Sequence, residues 1–163
     1  MQKLLWIEDK ILSAEILIQR CSGWRAAGSQ IVFTNGCFDI LHRGHLDYLA
    51  RAASLGNKLI VGVNTDGSVK KLKGSGRPIN NELDRAFALA SLLLVDAVCL
   101  FEEETPLKLI EECRPNILAK GGDYTPDTVI GADFVRSLGG TVEIIPFVTG
   151  YSTTGIIEKI HAL

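Results

Sequence analysis

The chain is 163 residues long, 47% hydrophobic and 22% charged, with a formal net charge of −2. That length holds one domain with a core of ordinary size, and the slight acidity argues against a surface built to attract nucleic acid or an anionic membrane. No apolar run approaches a bilayer span, and the start, Met1 to Asp9, carries acids where a signal peptide would not, so a cytoplasmic protein is expected.

In chain order, residues 10–27 place Ile11, Ala14, Leu17, Ile18 and Cys21 on one helical stripe, so residues 1–27 read as an N-terminal helical extension and 28–163 as the main domain. Strands are expected at Ile31–Thr34, Leu59–Asn64, Ala97–Phe101, Asn116–Ala119 and Thr141–Phe147. Helical patterns separate them at Gly44–Leu55, Glu82–Leu94, Pro106–Cys113 and Ala132–Leu138, and Ser152–Leu163 reads as a closing helix. Continuous apolar runs such as Leu59-Ile60-Val61-Gly62-Val63 suit strands covered on both faces. The expected fold is therefore α/β: a Rossmann-like, doubly wound, five-stranded parallel sheet.

Ligands of such sheets bind beyond the carboxyl ends of the strands. The polar, glycine-containing segments of this chain all follow strands: Asn35–Asp39, Asn64–Gly67, Glu102–Thr105, Lys120–Tyr124 and Thr149–Thr154. Distant stretches of sequence thus converge on one edge. After the first strand and its Asn35-Gly36-Cys37-Phe38-Asp39 turn comes His42-Arg43-Gly44-His45, opening a helix. Residues three apart at a helix start share a face, so the two imidazoles meet over a helix N-terminus, whose free N–H groups and partial positive charge suit phosphate. A zinc site is the alternative, but neither a cysteine pair nor His-Glu-x-x-His accompanies it, and the other histidine, His161, lies at the chain end.

Between Asp66 and Glu82 there is no acid, whereas Lys70, Lys71, Lys73 and Arg77 are basic and Gly74-Ser75-Gly76 adds freedom. This stretch, Ser68–Pro78, reads as a mobile basic loop suited to a polyphosphate, with Lys73 foremost among the residues reaching inward. Ser152-Thr153-Thr154 begins the last helix, where hydroxyls and amides cap it or hold phosphate. Arg77 and Arg85 are phosphate candidates; Asp39 and Asp123 could hold a substrate hydroxyl, hold Mg2+ or fix turns; Lys120 has Gly121-Gly122 beside it for close approach of a base or sugar. Cys21, Cys99 and Cys113 read as buried thiols, and Cys37 sits within the site turn without a base specific to it. Neither a P-loop nor G-x-G-x-x-G occurs, which disfavours P-loop ATPases and nicotinamide dehydrogenases.

Thr34–Asp39 followed by His42-x-Gly-His45, with Ser152-Thr153-Thr154 near the end, resembles the cytidylyltransferase-like nucleotidyltransferases. Leu72-Lys73-Gly74, Arg77-Pro78, Asp84-Arg85-Ala86 and Lys120-Gly121-Gly122-Asp123-Tyr124 extend the similarity, over about residues 28–163, to the adenylyltransferase domains of ADP-heptose synthesis. The resemblance implies transfer of AMP from ATP to a sugar 1-phosphate, D-glycero-D-manno-heptose 1-phosphate, with release of pyrophosphate and with Mg2+ entering on ATP. His42, His45 and Lys73 would be catalytic. Asn35, Gly36, Cys37, Phe38, Gly44, Lys71, Arg77, Lys120, Gly121, Ser152, Thr153 and Thr154 would bind the nucleotide. Asp39, Asn64, Asp66, Arg85 and Asp123 would bind the sugar phosphate, and no residue is assigned to a protein-held metal.

Many domains of this kind follow a sugar kinase; 163 residues leave no room for one, so a separate kinase is expected to supply the acceptor, and a homo-oligomer is expected. A cytidylyltransferase acting on glycerol 3-phosphate or another polyol phosphate is the runner-up. The glycerol branch carries an arginine shortly before Ser-Thr-Thr, where this chain reads Pro146-Phe147-Val148-Thr149-Gly150-Tyr151. A nucleotide sensor without catalysis would be marked by loss of a histidine, and both are present. An RNA-binding role is disfavoured by the charge.

Overall fold

Along the first four strands hydrophobic residues alternate between the two faces of the sheet, and each face is covered by helices. The computed structural model describes residues 2–122 and 124–163, so Asp123 lies outside the described residues. The strands are β1 (Ile31–Gly36), β2 (Lys58–Asn64), β3 (Ala97–Phe101), β4 (Ile117–Gly121) and β5 (Thr141–Ile145), all parallel, in the order β3-β2-β1-β4-β5. The chain winds outward from β1 to β3, then crosses back to place β4 on the other side of β1. The switch point between β1 and β4 opens a crevice at their carboxyl ends. This is the doubly wound α/β sheet expected from the strand patterns.

The helices are α1 (Gln2–Glu8), α2 (Ala14–Ala26), α3 (Arg43–Ala53), α4 (Asp66–Lys73), α5 (Glu82–Ala90), α6 (Leu107–Cys113), α7 (Ala132–Ser137) and α8 (Thr153–His161), with a 3-10 turn at Pro126–Thr128. One face of the sheet packs Ile31, Phe33, Ile60 and Leu118 against Leu17 and Cys21 of α2, Ile110 and Cys113 of α6, and Val135 of α7. The other face packs Val32, Leu59, Val61 and Ala119 against Leu49 and Ala52 of α3 and Ala86 and Leu89 of α5. The N-terminal segment also extends the sheet beyond β3: Val98 donates its N–H to the Lys10 carbonyl, and its own carbonyl accepts from Leu12. Among the described residues no helix is long and apolar enough to cross a membrane.

The largest departure from the sequence reading is at residues 68–78, where a helix replaces most of the expected mobile loop. Thr65 caps α4 by accepting the Ser68 N–H, Asp66 stands in its first turn, and Lys70, Lys71 and Lys73 stand in its last. These charges complement the helix dipole at both ends, so the basic run stabilises a helix C-terminus instead of repelling itself into a loop. Gly74, at φ +90, ends the helix. Two strands run two residues further than expected, because Asn35 and Gly36 pair with Gly62 and Val63, and Lys120 and Gly121 with Ile144 and Ile145. Strand β5 stops before Pro146, which has no N–H to donate.

Candidate active site

His42 has extended backbone and is the N-cap of α3: its Nδ1 accepts the His45 N–H at 3.4 Å. With Nδ1 acting as acceptor, the proton of the neutral ring belongs on Nε2, the nitrogen left free for a ligand. The His45 ring stacks on it, with centroids 3.8 Å apart and planes inclined by 18°, and its far side meets the edge of Phe38 at 5.3 Å. The two imidazoles expected over the helix mouth are therefore brought together, and one of them also caps the helix. Gly44 makes this approach possible, since a Cβ there would lie 3.1 Å from both the His42 ring and Tyr151 Cβ.

Burial lowers the His42 pKa. Burial first, then the adjoining His42 and the Lys73 ammonium, pushes His45 down to about 4. Both rings are thus neutral donors near pH 7 in the unliganded protein. Among the described residues, His45 Nδ1 is buried without a hydrogen-bond partner. The positive charge facing this pair comes from other residues.

Two chambers, of about 400 and 380 Å3, adjoin at His45, Lys73, Arg77, Phe147 and Thr153. The first runs over the ends of β1, β2 and β4 and takes in Asn35, Gly36, Cys37, Phe38, Asn64, Lys120 and Gly121. The second lies at the mouths of α3 and α8 and takes in His42, Gly44, Ser152 and Thr154. Segments more than a hundred residues apart thus line one cleft. Ser152 caps α8 by accepting the Gly155 N–H at 3.0 Å, so the N-termini of α3 and α8 both face the second chamber. Lys120, its pKa lowered by burial, donates to Asn35 Oδ1 at 3.1 Å across the switch point.

Val69 of α4 is buried, and Lys73 one turn later shares its face and lines both chambers. Lys71 lies on another side of the helix, exposed and outside the cleft lining, contrary to its assignment to the nucleotide.

Three residues assigned to the sugar phosphate have other partners. Arg85 is 1% exposed and does not line the cleft. Its guanidinium donates to the carbonyls of Cys37, Asn64 and Asn80 and to the Asp66 carboxylate, clamping together the ends of β1 and β2, the start of α4 and the loop before α5. Asp66 is correspondingly held by Arg85 at 2.8 Å and stands outside the cleft lining. Asp39 lines the cleft, but its carboxylate accepts from Arg77 Nε at 2.6 Å and from the amides of Ile79 and Asn80. Burial opposes the charge on Asp39, yet the two amides and the Arg77 guanidinium outweigh it and hold the pKa below the usual carboxylate value. Its work is to anchor the loop that presents Arg77. Asn64 lines the first chamber, its amide donating to Ser68 Oγ while its Oδ1 faces the Cys37 thiol at 4.0 Å.

The sequence reading missed Tyr48, Leu72, Glu104, Tyr124, Phe147 and Tyr151 in the lining. Tyr48 is three residues after His45, so helical spacing alone puts it on the site face. Its hydroxyl accepts from Thr34 Oγ1 at 2.6 Å and donates to the Ala119 carbonyl, tying α3 to both sides of the switch point, and burial pushes its pKa up to about 12. Leu72 stands beside Lys73 at the end of α4, and Glu104, Tyr124 and Tyr151 lie in the strand-following segments expected at this edge, whereas Phe147, read as the end of β5, carries no such signal.

Comparison with known proteins agrees with this geometry. The cytidylyltransferase-like family model matches residues 33–159. The Bifunctional protein HldE of Trichlorobacter lovleyi is 55% identical over 153 residues, 94% of this chain and 31% of that protein. Its namesake from Mesorhizobium japonicum is 52% identical over 155 residues, 95% and 31% respectively. The chain therefore spans about a third of the length of these relatives. Among solved structures, a lipopolysaccharide core biosynthesis protein from Thermoplasma volcanium superposes with a TM-score of 0.59 at 32% identity, covering 77% of this chain and all of that one. A pantoate-beta-alanine ligase from Francisella tularensis, complexed with beta-gamma ATP and beta-alanine, gives 0.57 at 15% identity over 94% of this chain and 78% of its own, a likeness of fold. With paired histidines at the switch point and a matched span from β1 into α8, this chain belongs to the cytidylyltransferase-like family.

Proposed function

We propose that this chain transfers the AMP group of ATP to D-glycero-D-manno-heptose 1-phosphate, forming ADP-heptose and pyrophosphate. The observation that carries the reading is the stacked His42–His45 pair at the switch point, facing Lys73, Arg77 and the start of α8 across one cleft. HldE relatives above 50% identity support heptose as the acceptor. A phosphate oxygen of the sugar attacks the α-phosphorus of ATP in line. A new P–O bond forms there while the bond to the β-phosphate bridging oxygen breaks, and pyrophosphate leaves with that electron pair. No protein nucleophile is required, so the protein's contribution is position and charge.

His42 and His45 donate N–H groups to the phosphate oxygens that gain charge, Lys73 and Arg77 neutralise the triphosphate, and Ser152 and Thr153 hold its outer phosphates at the α8 N-terminus. The donors facing the phosphates are cationic or neutral. Among the described residues no three His, Cys, Asp or Glu side chains cluster into a metal site, and Asp39 is already satisfied by Arg77 and two amides. This donor set fits a Mg2+ held by the triphosphate oxygens, where it would offset their charge. A sugar 1-phosphate acceptor is itself the product of phosphoryl transfer to a sugar, so a sugar kinase activity acts before this step.

The deciding experiment is pyrophosphate release across ATP, CTP, GTP and UTP, each paired with heptose 1-phosphate and with glycerol 3-phosphate. Turnover is expected with ATP and heptose 1-phosphate. Turnover confined to CTP and glycerol 3-phosphate would replace this reading with the polyol cytidylyltransferase.

A further inference from the structure

Phe147 is an apolar residue in an unusual position. It follows β5 and Pro146, its side chain is 65% exposed, and it lines both chambers of the cleft. Exposure alone would say little. What distinguishes it is what lies beneath: Gly121 and Gly122, at the carboxyl end of β4. A Cβ on Gly121 would come within 2.7 Å of the Phe147 ring, and one on Gly122 within 2.5 Å. Gly122 also has φ +104, which disfavours any other residue. The ring therefore rests directly on the glycine backbone, and a side chain at either position would displace it.

We infer that Phe147 is the platform on which the base of the nucleotide stacks, with the Gly121-Gly122 backbone supporting it from behind. This deepens the nucleotidyl-transfer reading and rests on it. An aromatic ring held against glycine backbone, largely exposed and lining the cleft, offers apolar π surface there, and base–aromatic stacking uses such a surface. Its neighbours exclude the other moieties: the phosphates belong with His42, Lys73, Arg77 and Ser152, where the charges and helix N-termini are, and an apolar ring gives them no partner. A sugar acceptor needs hydroxyl partners, which this ring also lacks. Lys120 and Asn35 beside it supply polar atoms at the edge of the platform. Stacking grows with ring area, so a purine gains more from Phe147 than a pyrimidine, and the residue favours ATP over CTP.

The test separates this role from the reaction itself. In Phe147→Trp, the introduced indole should be quenched by ATP and by AMP, and not by inorganic tripolyphosphate, with the unsubstituted chain correcting for Trp6 and Trp24. Phe147→Leu, which keeps apolar bulk without the π face, should weaken ATP binding about 10-fold and narrow the preference for ATP over CTP. Tripolyphosphate binding should stay unchanged in that variant, and Phe147→Tyr should restore ATP affinity. Quenching by tripolyphosphate equal to that by ATP, or unchanged ATP affinity in Phe147→Leu, would overturn the assignment. These are binding measurements, so failure of the heptose turnover assay would count against the proposed reaction without deciding the role of Phe147.

Discussion

At the scale of the residue, His42 performs two tasks that substitutions can separate. Its Nδ1 caps α3, and its other nitrogen is free for phosphate. His42→Ala should lower kcat about 100-fold and destabilise the fold by about 1 kcal/mol through the lost cap. His42→Asn keeps a capping oxygen, so it should recover most of the melting temperature and little of the turnover. Equal recovery of both would reduce His42 to a cap. His45, held near 4 in the free protein, should stay neutral throughout the physiological range and show this in an NMR titration. Anionic phosphates beside it favour the imidazolium, so a bound nonhydrolysable triphosphate should move that titration upward. The sign for stability follows. Above the ordinary histidine value of 6.5 both folded and unfolded chains carry a neutral His45, and it adds no pH dependence. Between 6.5 and about 4 the unfolded chain takes up the proton and the folded one does not, so stability falls with falling pH and levels off below that window. Replacing His45 with Asn should flatten that stretch of the curve, as measured by urea unfolding at several pH values.

At the scale of the element, the loop-and-helix segment from β2 to α5 shows how chemistry legible in sequence can be assigned to the wrong partner. The basic run 70–77 reads equally well as a polyphosphate loop or as the cationic end of a helix; the cap at Thr65 and the stop at Gly74 decide for a helix. One face of that helix then sends Lys73 into the cleft and leaves Lys71 outside. Arg85 misled for a similar reason, since a guanidinium suits a substrate phosphate and a backbone carbonyl alike. Its buried fork holds three carbonyls and one carboxylate. A lysine has one compact head and cannot span them. Arg85→Lys should therefore lower the urea midpoint by the equivalent of about 3 kcal/mol, with the KM for sugar phosphate in the folded fraction little changed. A raised KM at unchanged stability would return Arg85 to the acceptor.

At the scale of the whole molecule, the N-terminal segment is continuous with the main core. Leu17 and Cys21 are wholly buried against β1, α6 and their neighbours, and the backbone at Lys10 and Leu12 pairs with Val98 at the edge of the sheet. Burying one such aliphatic side chain contributes about 2 kcal/mol, a large part of the margin of a domain this size. A chain starting at residue 28 should accordingly lose its cooperative thermal transition or aggregate, whereas the full chain melts in a single step. By itself the sequence determined the parallel α/β sheet, the edge on which the site would form, and the histidine pair with its helix. Those depend on local periodicity and on the rule that ligands gather beyond the strand ends. Only the tertiary structure decided which polar groups face the cleft. Asp66 and Arg85 satisfy each other, Asp39 is satisfied by Arg77 and two amides, and Phe147 is brought in by packing on the glycines at the end of β4. A charged or aromatic side chain has the same chemistry toward protein and ligand, so its role is settled by which partner the folded chain places within reach.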